Sequence, residues 1–226
     1  MTLSIELFYR SIQIYSDEGA HAMAERGRPR SFDKEAALER AMQVFWRLGY
    51  EGASMADLTS AMGIASPSLY AAFGSKEALF RQALEHYSAT EGQEIWGGVE
   101  RADTAYAAVQ SYLMETARVF TRRSKPAGCL IVLSALHPAE RSDTVRQTLI
   151  AMREQTVDAL RARIEQGIAT GEIAAHANVD AIARYYVTVQ QGMSIQARDG
   201  ASRRDLEAIA HAALAAWPAL VGTGSA

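Results

Sequence analysis

The sequence predicts an all-α fold, and three observations lead there. Apolar residues recur at helical spacing, as in Leu79, Phe80, Ala83, Leu84 and Tyr87, or in Val145, Leu149, Met152, Thr156, Leu160, Ile164 and Ile168. Cap residues such as Ser54, Ser75, Asn178 and Ser202 stand just ahead of these stripes, and Gly49, Gly63 and Gly171 stand just behind them. The one segment without a readable period, Cys129 to Leu136, is almost wholly apolar; strand and buried helix both fit it, and its helical surroundings favour helix.

In chain order, residues 1–22 come first, where Ile5, Phe8, Ile12 and Tyr15 share one helical face. Glu6 and Arg10 interrupt that face, so a secretory signal is not expected. It reads either as an extra N-terminal helix or as upstream sequence ahead of a true start at Met23. Arg26, Arg28 and Arg30 follow, interleaved with Gly27 and Pro29, in an arm that these residues keep out of helix. Asp33 caps a helix to about Leu48, with Leu38, Ala41, Met42 and Phe45 on its buried stripe and Trp46 widening it.

Two short helices come next. Ser54 caps the first, with Asp57 three residues on, and Met55, Leu58 and Met62 face inward. Gly63 supplies a left-handed exit and Ile64 fills the angle. Ser66 is expected to cap the second, from Pro67 to about Ala72, with Leu69 and Phe73 inward and Ser68, Tyr70 and Ala71 outward. So short a helix is marginal alone. Its small outward face suits close approach to a DNA major groove, while an ordinary helical hairpin is the competing reading.

Ser75 caps the fourth helix, with Glu77 in its first turn. Gly92 and the pair Gly97-Gly98 are expected to weaken its far end, which sets three regions: 1–30, an extension and basic arm; 31–91, a three-helix head; and 98–221, a helical body. In the body, a helix spans about 103–122, and a loop runs from Ser124 to Gly128. His137-Pro138 ends the apolar segment, the long stripe from Val145 follows, and Gly171 breaks it. Ile182, Tyr185, Val189 and Met193 share a face after Asn178; Leu206, Ile209 and Leu214 point inward after Ser202; Trp217-Pro218 closes the last helix, leaving a loose tail from Gly222.

Composition narrows the function. The chain has 226 residues, 49% of them hydrophobic and 22% charged, ordinary values for a globular protein that buries a sizeable core. A formal net charge of −3 argues against a nonspecific nucleic-acid coat and leaves only local positive charge, at the arm and Lys76. A single cysteine excludes an internal disulfide and suits a reducing cytoplasm. No run of eighteen apolar residues is present to span a membrane. No nucleotide loop, paired metal-ligand spacing or nucleophile elbow occurs, and the five histidines are scattered, so no catalytic residue, metal or cofactor is expected. Cys129 reads as a plain buried small residue, or as a sole thiol that senses oxidants, with no basic neighbours in sequence to activate it.

The string Met55-x-Asp57-Leu58, Gly63-Ile64, Leu69-Tyr70-x-x-Phe73-x-Ser75-Lys76-Glu77-x-Leu79-Phe80 resembles the helix-turn-helix of the tetracycline-repressor (TetR) family of bacterial regulators. The run Ala37-Leu38-x-x-Ala41-x-x-Val44-Phe45-x-x-x-Gly49-Tyr50-x-Gly52 resembles that family's first helix. The match covers about Ser31 to Glu91 without a gap; beyond it the chain is similar only in being helical and of suitable length.

The resemblance implies a DNA-binding head and a ligand-binding, dimerising body. It favours Met23 as the start. Arg28 and Arg30 would follow DNA from the arm; Ala65, Ser66, Pro67, Ser68 and Tyr70 would face groove and backbone; Ser54 and Lys76 would hold phosphates. The last two helices, about 178–196 and 203–217, would pair in a homodimer. A small effector would meet residues among Trp96, Tyr112, Phe120, Cys129, His137, Tyr186 and Gln190. Most relatives are repressors that an effector releases from a palindromic operator. The rival readings are a helical ligand carrier without DNA binding and a thiol-based sensor acting through Cys129.

Overall fold

The computed structural model describes residues 32–135 and 142–222. The N-terminal extension, the arm with Arg28 and Arg30, His137 and the tail beyond Gly222 lie outside the described residues. What is described is helical, with no strand among it.

Four helices make the head: α1 (Lys34–Gly52), α2 (Met55–Met62), α3 (Ser66–Phe73) and α4 (Lys76–Tyr87). The Asp33 carboxylate accepts from the N–H groups of Glu35 and Ala36 and starts α1. Gly49, at φ 72°, breaks the helical backbone near the predicted end, and a last turn continues to Gly52. Ser54 and Asp57 close a reciprocal capping box on α2. Gly63, at φ 68°, turns the chain away, and the Arg40 guanidinium donates to the Met62 carbonyl at 3.2 Å, satisfying an orphan acceptor of the α2 terminus. Ser75 accepts from the Ala78 N–H and starts α4.

One cap differs from expectation. Helix α3 begins at Ser66, one residue early, and Ala65 takes the extended cap position with no side-chain hydrogen bond. Ser66 is therefore not a cap. Pro67 still sits in the first turn, where a missing N–H costs nothing. Leu58, Met62, Leu69 and Phe73 converge with Phe45 and Phe80, whose rings meet edge to face at 4.9 Å.

The link to the body is not a break. A single π-helical turn, Ser88–Gly92, joins α4 directly to α5 (Gln93–Arg101), so both expected boundaries, 91 and 98, fall inside helical backbone. Gly98 serves close packing there: a Cβ would stand 2.0 Å from the Ser111 hydroxyl of α6.

The body continues with α6 (Ala105–Phe120), α7 (Leu130–Ser134), α8 (Asp143–Ala169), α9 (Val179–Arg198), α10 (Arg203–Leu214) and α11 (Trp217–Val221). Helix α6 is central, packed on α5, α8, α9 and α10, while α7 packs on α1 and α8. The Glu172 carboxylate, beyond the end of α8, caps α6 by accepting from the N–H groups of Ala105 and Tyr106 at 2.7 and 2.9 Å. Two expectations need correction. In α9 the core takes Ile182, Ala183, Tyr186, Val187 and Met193, whereas Tyr185 is exposed and Val189 half-buried, because the helix is apolar on more than one side. Trp217-Pro218 opens a short helix instead of closing one, since proline is tolerated in a first turn.

Candidate nucleic-acid interface and effector cavity

The head and body each present one built feature. On the head it is the outward face of α3. The core anchors Leu69 and Phe73 leave Ala65, Ser66, Pro67 and Ala71 exposed and Ser68 half-buried. Tyr70 stands out from this low surface, a large ring left 50% exposed. Ser54 and Lys76 flank the face at the starts of α2 and α4. The Ser54 hydroxyl is already engaged with the Asp57 carboxylate, at 2.5 Å. The Lys76 ammonium lies 4.5 Å from the centre of the Tyr50 ring, and burial holds its pKa below the ordinary lysine value, with Glu51 acting the other way. That placement turns part of the lysine stem inward while keeping its charge at the edge of the head.

In the body, a cavity of about 50 Å³ opens between α4, the π turn, α5, α6, α7, α8 and α9. It brings together four residues singled out in the sequence: Trp96, Tyr112, Cys129 and Gln190. Phe120 is instead plain core, and Tyr186 packs against Tyr185 and Trp217, with its hydroxyl 3.4 Å from the Ala213 carbonyl. Neither lines the cavity. The sequence reading missed Tyr87, Arg153, Thr156 and Gln191, which do. Two signals were available: Thr156 is a polar member of an apolar stripe, and Gln190-Gln191 is a polar pair within a buried helix.

The Trp96 and Tyr112 rings are 5.2 Å apart. The Tyr112 hydroxyl is buried without a protein partner, and burial drives its pKa far above the ordinary tyrosine value. Gln190 is only 7% exposed and lines the same cavity. Cys129 is held from behind: its N–H donates to the Ser194 hydroxyl at 2.8 Å, and Gly128, at φ 81°, lets the loop press onto α9. Burial pushes the Cys129 thiol up, against the smaller opposing pull of the Tyr87 hydroxyl, the N–H groups that open α7, and Arg153. The thiol therefore stays protonated at neutral pH. A second, larger groove of about 310 Å³ runs between α4 and α8 past Arg81, Glu85, Gln147 and Met152.

A tight helix-turn-helix with a shallow outward face, carried on a helical body with a mainly apolar cavity edged by a few polar groups, defines the class of regulators that couple a head to a body. The family profile described as "Bacterial regulatory proteins, tetR family" matches residues 37–83, and "Tetracyclin repressor-like, C-terminal domain" matches residues 105–215. The chain belongs to the TetR family of bacterial transcriptional regulators. It is 39% identical over 203 residues to the HTH-type transcriptional repressor ComR of Escherichia coli (strain K12), covering 87% of this chain and 94% of that one. Identity to the HTH-type transcriptional repressor BdcR of the same strain is 30% over 185 residues, 81% and 88% of the two chains. Among solved structures, a cysteine-substituted form of the TetR family transcriptional regulator CifR, complexed with 26-bp double-strand operator DNA, superimposes with a TM-score of 0.82 at 48% identity, covering 84% of this chain and all of that one. No helix among the described residues is long and apolar enough to cross a membrane.

Proposed function

We propose that this chain is a dimeric transcriptional repressor that binds a palindromic operator through α3 and is released when a small effector fills the body cavity. The observation that carries the reading is the isolated Tyr70 ring on an otherwise small-residue α3 face of the head, together with a body cavity lined by Tyr112, whose buried hydroxyl has no protein partner. The operator complex of CifR supports the DNA side of the reading. In a dimer, two α3 helices would enter successive major grooves about 34–36 Å apart. Ala65, Ser66, Pro67 and Ser68 are too small to make many base contacts, so the Arg28 and Arg30 arm and DNA shape share the specificity. Lys76 and Ser54 position the backbone. The pairing surface is the outer side of α9 and α10, where Tyr185 and Ile195 are exposed apolar residues among alanines.

The effector class follows from the lining. Ile95, Trp96, Ile131 and Val132 receive an apolar body, and the Tyr112 hydroxyl and Gln190 amide receive one polar group on it. The neutral Cys129 thiol speaks for a packing role over oxidant sensing. The reading places the protein in the cytoplasm, acting as a regulator and not as an enzyme.

Fluorescence anisotropy against DNA from the chain's own upstream region, at two salt concentrations and with unrelated DNA as control, tests this. Selective binding that falls steeply as salt rises is expected. Tyr70→Ala and Lys76→Ala should each weaken it and leave the dimer intact. Unchanged affinity in both variants would show that α3 is not the reading element.

A further inference from the structure

The cavity and the head share one wall. The π turn Ser88–Gly92 lines the cavity with Ser88 and Gly92, and it also carries Glu91, which is not part of the lining. Glu91 is 3% exposed and takes charge from two directions: the Arg122 guanidinium at the end of α6, and the Lys125 ammonium at 3.2 Å in the α6–α7 loop. The same Lys125 ammonium reaches the Glu39 carboxylate of α1 at 2.5 Å, and the second Glu39 oxygen meets the His86 ring at 3.0 Å. Lys125 is thus a single cation held between a carboxylate of the π turn and a carboxylate of the head. Arg122 extends the chain of charges to Glu94, and Arg118 extends it on to Glu115.

Size makes this arrangement consequential. A cavity of about 50 Å³ is a fraction of the roughly 150 Å³ that encloses benzene, so an effector with an apolar body must push a wall outward. Most of the walls resist. Helices α6, α8 and α9 are regular and bundled. Cys129 is fixed where a Cβ on Gly128 would lie 2.6 Å from the Ser194 carbonyl. The π turn is the wall segment that departs from the regular i→i+4 pattern, and exchange of its i→i+5 hydrogen bonds for i→i+4 bonds must shift the register of α4 against α5. Any such exchange moves Glu91, and a carboxylate this buried keeps its cations only where it stands.

We propose that the π turn and the Lys125 bridge are the route by which cavity occupancy reaches the head: filling the cavity shifts Glu91, Lys125 loses one of its two anchors, and Glu39 no longer holds α1 in its DNA-bound position. This rests on the repressor reading above and names its regulation.

A double-mutant cycle tests it. Cys129→Met fills the cavity, and Lys125→Met cuts the bridge while keeping the aliphatic stem. Cys129→Met should weaken binding to the selected upstream DNA by about fivefold or more when Lys125 is present, the low end of ordinary allosteric coupling, and by less than about twofold in the Lys125→Met background. Glu91→Gln should abolish the coupling in the same way. Equal loss in both backgrounds overturns the bridge. If Cys129→Met fails to fold, Thr156→Met on the α8 wall of the same cavity delivers similar bulk. Amide hydrogen exchange across residues 36–42 is read in parallel and needs no DNA. Faster exchange on filling, only with Lys125 in place, supports the bridge; no dependence on Lys125 refutes it. A wild-type chain that selects no DNA would sink the repressor reading alone, and the exchange arm would still decide on the bridge.

Discussion

The head and the body are both helical and both well packed, yet their interiors differ in kind. In the head, the buried side chains are apolar or aromatic, Phe45, Leu58, Met62, Leu69, Phe73 and Phe80 among them, and Trp46 Nε1 is a buried nitrogen there without a hydrogen-bond partner. Every buried polar or charged residue among those described, namely Ser88, Glu91, Thr116, Ser134, Gln190 and Ser194, lies in the π turn or the body. A dry interior has one good packing and resists deformation. The body interior instead holds buried hydroxyls short of partners, those of Tyr112, Thr116 and Ser134, and so carries unmet hydrogen bonds. The difference teaches that this protein presents a rigid reading surface and keeps its adjustable chemistry elsewhere.

The largest effect that could break the comparison is loss of the head's central ring. Phe45 is fully buried against Phe80, and Phe45→Ala should cost about 3–5 kcal/mol, measured by urea unfolding. A loss below about 1 kcal/mol would mean that the head repacks and is not the stiff partner. Next comes Gly128→Ala, where a positive φ of 81° and a contact of 2.6 Å to the Ser194 carbonyl both oppose a side chain. The expected cost is about 1–3 kcal/mol, with the Cys129 wall displaced. Tyr112→Phe should go the other way. Deleting a buried hydroxyl that has no protein partner should leave stability unchanged or raise it by about 1 kcal/mol, while weakening the response to effector. A clear destabilisation would show that an ordered water already completes that hydroxyl.

The head was far more legible in the sequence than the body, and the physical reason is locality. Caps such as Asp33, Ser54 and Ser75 act within three residues of themselves, so their spacing is visible along the chain. Even there Ala65 escaped, because a cap held by backbone alone leaves no side-chain signal. The cavity is assembled from several helices, and its members are neighbours only after packing. Trp96, Tyr112, Cys129 and Gln190 were recognisable as aromatic or mixed-polarity residues, but Phe120 and Tyr186 share that chemistry and face elsewhere. The Glu39–Lys125–Glu91 bridge spans separations of 86 and 34 positions, which no local pattern encodes. Gly97-Gly98 misled for a related reason: the partner that makes glycine useful there, Ser111, is on another helix.

The smallest effect sharpens the comparison by asking where it stops. Both regions contain the same helix-start device, Ser54 with Asp57 on α2 and Ser202 with Asp205 on α10. In each box the serine N–H donates to the aspartate, at 3.0 and 2.8 Å, and the serine hydroxyl accepts in return. Hydrogen bonds from the serine side chain, then from its backbone, hold both carboxyls below the ordinary aspartate value. A depressed folded pKa gives stability that is fully present above the unfolded value, near pH 4, and is lost as pH falls through the folded value. Melting temperatures of Asp57→Ala and Asp205→Ala should therefore lie slightly below wild type at pH 6 to 7 and converge on it under acid. Both carboxyls are solvent-exposed, so the gap should be small in each. Matching curves would confine the difference between head and body to their interiors. A gap that closes for one box and persists for the other would mean that the two regions also differ in how their helices are begun.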